Sequence, residues 1–327
     1  MILAADVGGT KTLLGLFAAE RGRLRAVREA SYPSPEFGSF GEIVAAFLAG
    51  GRQRVTSCGV GVAGPIVGGR SQVVNLRWPV DAAKLASQLR VERVELLNDL
   101  EATAWGVPEL PRAKVENLTP GLRGSRGNAA LIAAGTGLGM AILLWDGAHY
   151  HPSASEGGHQ EFAPRDALEI ELLERQLERH RRVSVERLVS GPGLSAIYQF
   201  LVETGRAAES RRMHERLAAA EDPNAIIGEA GVAGDDPLAV QVVDRFVSMY
   251  GSAAGDLALV AKATAGLWIG GGIAPRILPK LRDGNFLRAF RNKGRLSPLL
   301  ESIPVRVILE PRTALIGAAA CARRRKG

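Results

Sequence analysis

The stretch Ile2-Leu3-Ala4-Ala5-Asp6-Val7-Gly8-Gly9-Thr10-Lys11-Thr12-Leu13-Leu14-Gly15-Leu16-Phe17 decides how the rest of the chain is read. Apolar runs at 2–7 and 12–19 flank a turn at Gly8-Gly9-Thr10, and a third run follows at 24–32. This spacing predicts three short strands in an antiparallel meander. A carboxylate stands at the end of the first strand, followed by glycines and then two hydroxyls. Glycine lets backbone N–H groups come close to an anion, and successive N–H groups form an anion nest. Thr10 and Thr12 can add hydrogen bonds, and Asp6 can hold Mg²⁺ directly or through water. The same residues also read as a plain hairpin turn with an incidental Asp. Neither GxxxxGK[ST] nor GxGxxG is present.

The pattern returns further on. Residues 129–134, AALIAA, end at Gly135-Thr136-Gly137, and 138–145 form another apolar run. Matching Gly9-Thr10 to Gly135-Thr136 gives an offset of 126 residues. A repeated strand–turn–strand unit predicts two related domains. Between the two turns, helical spacing at Phe40, Ile43, Val44 and Phe47 predicts a helix over 40–49. A strand at 55–63, a helix at 81–89 and a strand at 94–97 make the first hundred residues β-β-β-α-β-α-β. Beyond the second turn, helices are expected at 165–182, 193–204, 210–220 and 237–262. A buried strand at 267–270, a late strand at 304–309 and an Ala-rich helix at 313–322 complete an α/β pattern.

Composition narrows the class. At about 150 residues per domain, 327 residues suit two domains. Two cysteines, Cys58 and Cys321, are too few for a disulfide framework or a thiolate metal site. The start has no basic n-region and no run of 18 apolar residues occurs, so a cytoplasmic protein without a membrane span is expected. The net charge of +7 would permit nucleic-acid binding. However, the arginines are dispersed, and the dense runs Arg179–Arg182 and Arg323–Lys326 carry no interleaved aromatics, so neither nucleic acid nor membrane is expected as a partner.

Four further segments hold chemistry-bearing residues. Gly135-Thr136-Gly137 could grip a polyphosphate together with the first turn. Gly270-Gly271-Gly272 is either a close-approach site for a nucleobase or ribose, or a strand-to-helix turn. In Leu97-Asn98-Asp99-Leu100-Glu101, Asn98 and Glu101 can form a capping box, with Asp99 favouring the helix dipole. Alternatively, Asp99 is a general base at a strand's C-terminal edge, where ligands of open α/β sheets bind. Ser155-Glu156-Gly157-Gly158-His159 can bind several hydroxyls or be a surface loop. His149, His151, Glu156 and His159 superficially resemble a zinc set, but no thiolates support one. Glu186, after Ser184, can simply be a first-turn helix acid.

In combination these segments resemble the bacterial glucokinase family of the hexokinase–actin superfamily, over nearly the whole chain. Asp6–Thr12 is similar to its first phosphate motif, Leu97-Asn98-Asp99 to its catalytic segment, and Gly135–Gly139 (GTGLG) to its second phosphate motif. Ser155–His159 (SEGGH) resembles its sugar loop, and Glu186-Arg187 with Ser190–Leu194 (SGPGL) the segment after it. Gly270–Arg276 (GGGIAPR) resembles the adenosine segment. The resemblance implies an actin-like ATPase architecture: two ribonuclease H-like domains flanking an interdomain cleft, a small one at 1–108 plus 312–327 and a large one at 109–311. It implies phosphorylation of glucose by ATP, with Asp99 deprotonating the 6-hydroxyl. Asn75, Asn98, Glu156, His159 and Glu186 would bind the sugar. Asp6 would position Mg²⁺. Gly8, Gly9, Thr10, Lys11, Thr12, Gly135, Thr136 and Gly137 would lie on phosphates, and Gly271 and Gly272 on adenosine. A homodimer is compatible with it. Lys11 departs from the family, which often has Asn there. GGTKT is more typical of the related ROK group, whose zinc motif follows the sugar-loop His. Gln160–Glu178 holds no Cys, so the sugar loop decides for the non-zinc type. A kinase for another hexose or amino sugar, or a sugar-sensing regulator, are the alternatives. Asp6 stands so near the start that no DNA-binding segment is expected before it.

Overall fold

The computed structural model describes residues 1–51, 53–73, 76–122 and 124–324. The chain divides into two compact units: Met1–Lys114 together with the segment from Glu310 onward, and Val115–Leu309.

The first unit begins with β1 (Ile2–Val7), β2 (Lys11–Glu20) and β3 (Arg23–Pro33), the expected meander. Helix α1 (Phe40–Leu48) follows. Ser39 caps it by accepting from the Glu42 N–H at 3.2 Å, and the Glu42 carboxylate accepts from the Ser39 hydroxyl and from the Gly38 N–H. Strand β4 (Ser57–Val62) lies parallel to β1. A small sheet of β5 (Ile66–Val67), β6 (Arg70–Gln72) and β7 (Pro79–Asp81) comes next. The sequence reading did not anticipate it, because strands of two or three residues are too short to show an alternation. Then come α2 (Ala82–Leu89), β8 (Val94–Asn98) and α3 (Asp99–Gly106). The main sheet has the order β3-β2-β1-β4-β8.

The second unit contains β9 (Val115–Thr119), β10 (Ala129–Ala134), β11 (Leu138–Trp145), β12 (Tyr150–Ser155), β13 (Gly266–Gly270) and β14 (Val305–Ile308), in the order β12-β11-β10-β13-β14-β9. Apart from the added edge strand β9, this is the first unit's plan: an antiparallel meander, then two parallel strands beside its first strand. The repeat is real, but β10 matches β1 at an offset of 127, not 126. Four residues separate the pair Val7–Thr12 and three separate Ala134–Leu138, so the turns differ by one residue. The helices are α4 (Ala167–Arg179), α5 (Val185–Leu188), α6 (Gly191–Glu203), α7 (Arg211–Ala218), α8 (Pro223–Ala233), α9 (Pro237–Ala261), α10 (Ile273–Arg276), α11 (Leu278–Arg282), α12 (Asn285–Arg291) and α13 (Ser297–Ser302). Helix α4 is shorter than expected at both ends: Asp166 caps it by accepting from Glu169 N–H, and His180 leaves helical geometry. The core forms around α9, where Phe246, Tyr250, Phe286 and Phe290 are fully buried.

The chain finally returns to the first unit as α14 (Thr313–Arg323). Strand β1 is thereby buried on both faces: Leu3, Ala5 and Val7 pack with Ile43, Val44 and Phe47, while Ile2 and Ala4 pack with Leu315, Ala318 and Ala319. That is why its sequence is a continuous apolar run and not an alternating one. Helix α14 comes close enough that a Cβ on Gly317 would lie 1.7 Å from the Ala102 carbonyl oxygen of α3. Because backbone cannot yield as a side-chain tip does, Gly317→Ala is expected to cost about 3 kcal/mol or more. The check is a urea unfolding curve, or the loss of soluble protein.

Candidate active site

In the first unit, Asp6 is the next-to-last residue of β1, and Asp99 directly follows Asn98, the last residue of β8, with β4 between the two strands, so both carboxylates stand at the carboxyl edge of the parallel strands. Asn98 caps α3, its Oδ1 accepting from the Glu101 N–H at 2.7 Å, and the Glu101 carboxylate accepts from the Asn98 N–H. The capping box is therefore formed. It uses the Asn98 oxygen and leaves its amide NH₂ for other partners. Asp99 occupies the first turn, its Oδ1 accepting from the Leu100 N–H at 2.9 Å, and Thr103 donates to its backbone carbonyl. The Asp6 carboxylate is partly buried and receives no hydrogen bond among the described residues. Burial, reinforced by the charge of Asp99 and opposed by Lys11, pushes its pKa up to about 6. An unsatisfied carboxylate next to a second one fits a hydrated divalent cation.

The first turn has an asymmetric backbone. The Gly8 N–H donates to Lys11 O at 3.0 Å, Gly8 O accepts from the Ser34 hydroxyl at 2.8 Å, and Thr10 O accepts from Ser34 N–H at 3.1 Å. The N–H groups of Gly9 and Thr10 have no acceptor among the described residues. Thr10 and Lys11 are exposed. Thr12 corrects the sequence reading: it is fully buried and its hydroxyl pairs with Ser34 at 2.9 Å, so it braces the turn and does not reach outward.

The second unit repeats the arrangement. Gly135 N–H donates to Gly137 O and Gly191 N–H to Gly135 O, both at 2.8 Å, leaving the N–H groups of Thr136 and Gly137 without acceptors among the described residues. The Leu138 N–H donates to Glu186 Oε2 at 2.8 Å, and Glu186 Oε1 lies 3.8 Å from His159 Nδ1. Glu186 thus links the turn to the SEGGH loop. That loop presses onto β11, where a Cβ on Gly158 would meet Leu138 O at 1.9 Å. Backbone bonds from Val185 to Gln160 and from Phe162 to Val183 bring His159 and Glu186 together, and Arg182 donates to the His159 carbonyl. Glu156 and His159 are exposed. His151 instead pairs with Asp146 at 2.5 Å, and among the described residues no group of three or more His, Cys, Asp or Glu could hold a metal ion.

Two cavities meet at this point. One of about 370 Å³ is lined by Thr136, His159, Glu186 and Pro192. The other, about 570 Å³, is lined by Thr136, Pro192, Asn224, Gly272 and Arg276, a size that suits a nucleoside. Gly272 faces this cavity. Gly271 does not line it: at φ +84° and with Ala134 O only 2.2 Å from where its Cβ would be, it is glycine for backbone packing. Asp222 and Asn224 were missed, although Asp222-Pro223 is a helix-start signal and caps α8. Asn75 lies outside the described residues. No helix among the described residues is long and apolar enough to cross a membrane.

Solved structures with similar folds include glucokinases. The chain is similar to a glucokinase from an Antarctic psychrotroph (TM-score 0.87, 30% identity, 98% of each chain covered). It also shares the fold of a ROK family glucokinase from Streptomyces griseus in complex with glucose and AMPPNP (TM-score 0.64, 23% identity, 98% and 99% covered). The family model for glucokinase matches residues 3–325. The glucokinase of Trichormus variabilis is 41% identical over 339 residues, with 99% of each chain covered, and that of Synechocystis is 36% identical over 344, with 98% and 97% covered. The chain belongs to the glucokinase family.

The Asp6 geometry carries a sign that can be measured. A folded-state pKa near 6 against an unfolded 3.8 means that the native state binds the proton more tightly. The ionised form therefore lowers stability as pH rises from about 4 to about 6, and the penalty persists above that. In nucleotide-free protein, Asp6→Asn should raise the unfolding free energy at pH 7.5 by about 1–3 kcal/mol. The gain should vanish near pH 4, as read by denaturant unfolding across pH.

Proposed function

We propose that this protein is an ATP-dependent glucokinase that transfers the γ-phosphoryl group of ATP to the 6-hydroxyl of glucose, yielding glucose 6-phosphate and ADP. Family membership over residues 3–325 supports the activity. The observation that carries the mechanism is the pair of turns in which the carbonyls of Gly8, Thr10, Lys11, Gly135 and Gly137 are tied inward, while the N–H groups of Gly9, Thr10, Thr136 and Gly137 have no acceptor among the described residues.

Phosphoryl transfer depends mainly on positioning and on stabilising charge. The bare N–H groups of the two turns, with the Lys11 ammonium, hold the phosphates. Mg²⁺, travelling with the nucleotide and held through water by Asp6, would neutralise phosphate charge. The 570 Å³ cavity, with Gly272 on its wall, receives the nucleoside. Glu156, His159, Glu186 and the Asn98 amide bind sugar hydroxyls. Asp99 takes the proton of the 6-hydroxyl as its oxygen bonds to the γ-phosphorus, while the bond to the β–γ bridging oxygen breaks and ADP leaves. No zinc has a part in this reading. The repeated strand order supports the reading of two ribonuclease H-like domains, expected at 1–108 plus 312–327 and 109–311, while the compact units divide after Lys114 and Leu309.

Asp99→Asn preserves shape and loses proton acceptance. It should lower kcat by about 10²–10⁴ while changing glucose affinity far less. A variant with more than half of wild-type kcat would return Asp99 to a helix-end role. Glu156→Ala should weaken glucose binding about 5- to 150-fold, since sugar donors lose their acceptor. Calorimetric titration of ATP without sugar should be nearly unchanged.

A further inference from the structure

We propose that Ser34 is a positioning residue for phosphoryl transfer, holding the Gly8–Thr12 turn so that the N–H groups of Gly9 and Thr10 stay aimed at nucleotide phosphates. The proposal rests on reading that turn as a phosphate site.

Ser34 grips the turn at three points. Its hydroxyl donates to Gly8 O at 2.8 Å, its N–H donates to Thr10 O at 3.1 Å, and its oxygen lies 2.9 Å from Thr12 Oγ1. A hydroxyl has one proton, and that of Ser34 is committed to Gly8, so Thr12 must be the donor in the third bond. The result is a directed chain from Thr12 to Ser34 to the Gly8 carbonyl, with both hydroxyl residues fully buried. Bonds in such a chain polarise and strengthen one another.

Ser34 is itself held firmly. Pro33 and Pro35 flank it, and each has a fixed φ. Tyr32 packs edge-on against Phe37 and Phe47, with ring centroids 5.8 and 6.5 Å apart, and Trp78 Nε1 donates to the Phe37 carbonyl at 2.8 Å. The segment is thus anchored to the core on both sides of the serine. The second turn achieves the same polarity with backbone alone, through Gly191 and Gly135. In the first, by contrast, the Gly8 carbonyl is held by a side chain. Without the Ser34 hydroxyl, the Gly8 carbonyl loses its buried donor and is free to rotate, and a carbonyl swung outward would oppose a phosphate in place of an N–H.

The test compares Ser34→Ala, Thr12→Val and Thr12→Ser, with Leu85→Ala as a control that loosens the same unit's core at α2, which packs against β8. Calorimetry without sugar measures affinity for ATP and for adenosine, and kinetics give the KM for each substrate. Ser34→Ala should weaken ATP about 5- to 30-fold and leave adenosine affinity and the glucose KM within twofold. Thr12→Val should weaken ATP by a smaller factor, and Thr12→Ser should restore it. Leu85→Ala should lower Tm without changing ATP affinity. If Ser34→Ala fails to fold, the near-isosteric Thr12→Val carries the same comparison. Unchanged ATP affinity in both hydroxyl-deleting variants would overturn the proposal, as would equal losses for ATP and adenosine. The amide resonances of Gly9 and Thr10 in wild-type protein separate the two ideas. If they shift with ATP while Ser34→Ala and Thr12→Val bind it normally, only the role of Ser34 fails. If they do not shift with ATP, the phosphate reading of the turn fails and takes the proposal with it.

Discussion

A strand that reverses at the end of a buried sheet must find a partner for every backbone group at the turn, or leave it to solvent or ligand. In both units most of the turn's carbonyls are satisfied from within, those of Gly8 and Thr10 by Ser34 and that of Lys11 by the Gly8 N–H in one case, those of Gly135 and Gly137 by the Gly191 and Gly135 N–H groups in the other, while two successive N–H groups have no acceptor among the described residues. Much else follows from this asymmetry. Glycine is needed where a side chain would obstruct the approach, β1 and β10 must be anchored deeply enough to fix their ends, and the elements supplying the donors must lie against the turns. In the second unit that element is the start of α6. Glu186 then takes the next N–H, that of Leu138, and connects the turn to the loop bearing His159.

The broad architecture was legible because its signals are long. The six-residue apolar runs before Gly8 and Gly135, the spacing of α1 and the length of α9 survive any local ambiguity. The sheet of β5 to β7, strand β9 and the helices of five to seven residues α11, α12 and α13 did not register. Such elements are fixed by what they pack against and not by their own periodicity. Helix α8 was missed for a different reason: its start signal at Asp222-Pro223 was there, but Gly228 and Gly231 interrupt the apolar pattern.

The candidate site was legible by residue type and less so by orientation. Thr12 and Thr10 are equivalent as letters, yet Thr12 lies within β2 and is buried against Ser34, whereas Thr10 stands in the turn before β2 and is exposed. Gly271 and Gly272 are likewise adjacent, and only the second lines a cavity. At Asn98 and Asp99 the structural and chemical readings coexist. The capping box occupies the Asn98 oxygen, and the start of α3 sets Asp99 at the strand edge.

Helix α14 has a consequence for the order in which the protein is made. Ala318 and Leu315 complete the lower face of β1, so the unit carrying Asp6 and Asp99 lacks one layer until the segment beyond Glu310 emerges. At about 5–20 residues per second, synthesis of the intervening unit takes roughly 10–40 s. By the end of that interval the second unit has all its own strands, whereas the first has waited throughout with an apolar sheet face uncovered. Nascent chains arrested before α14 are therefore the species on which chaperones would have most to hold.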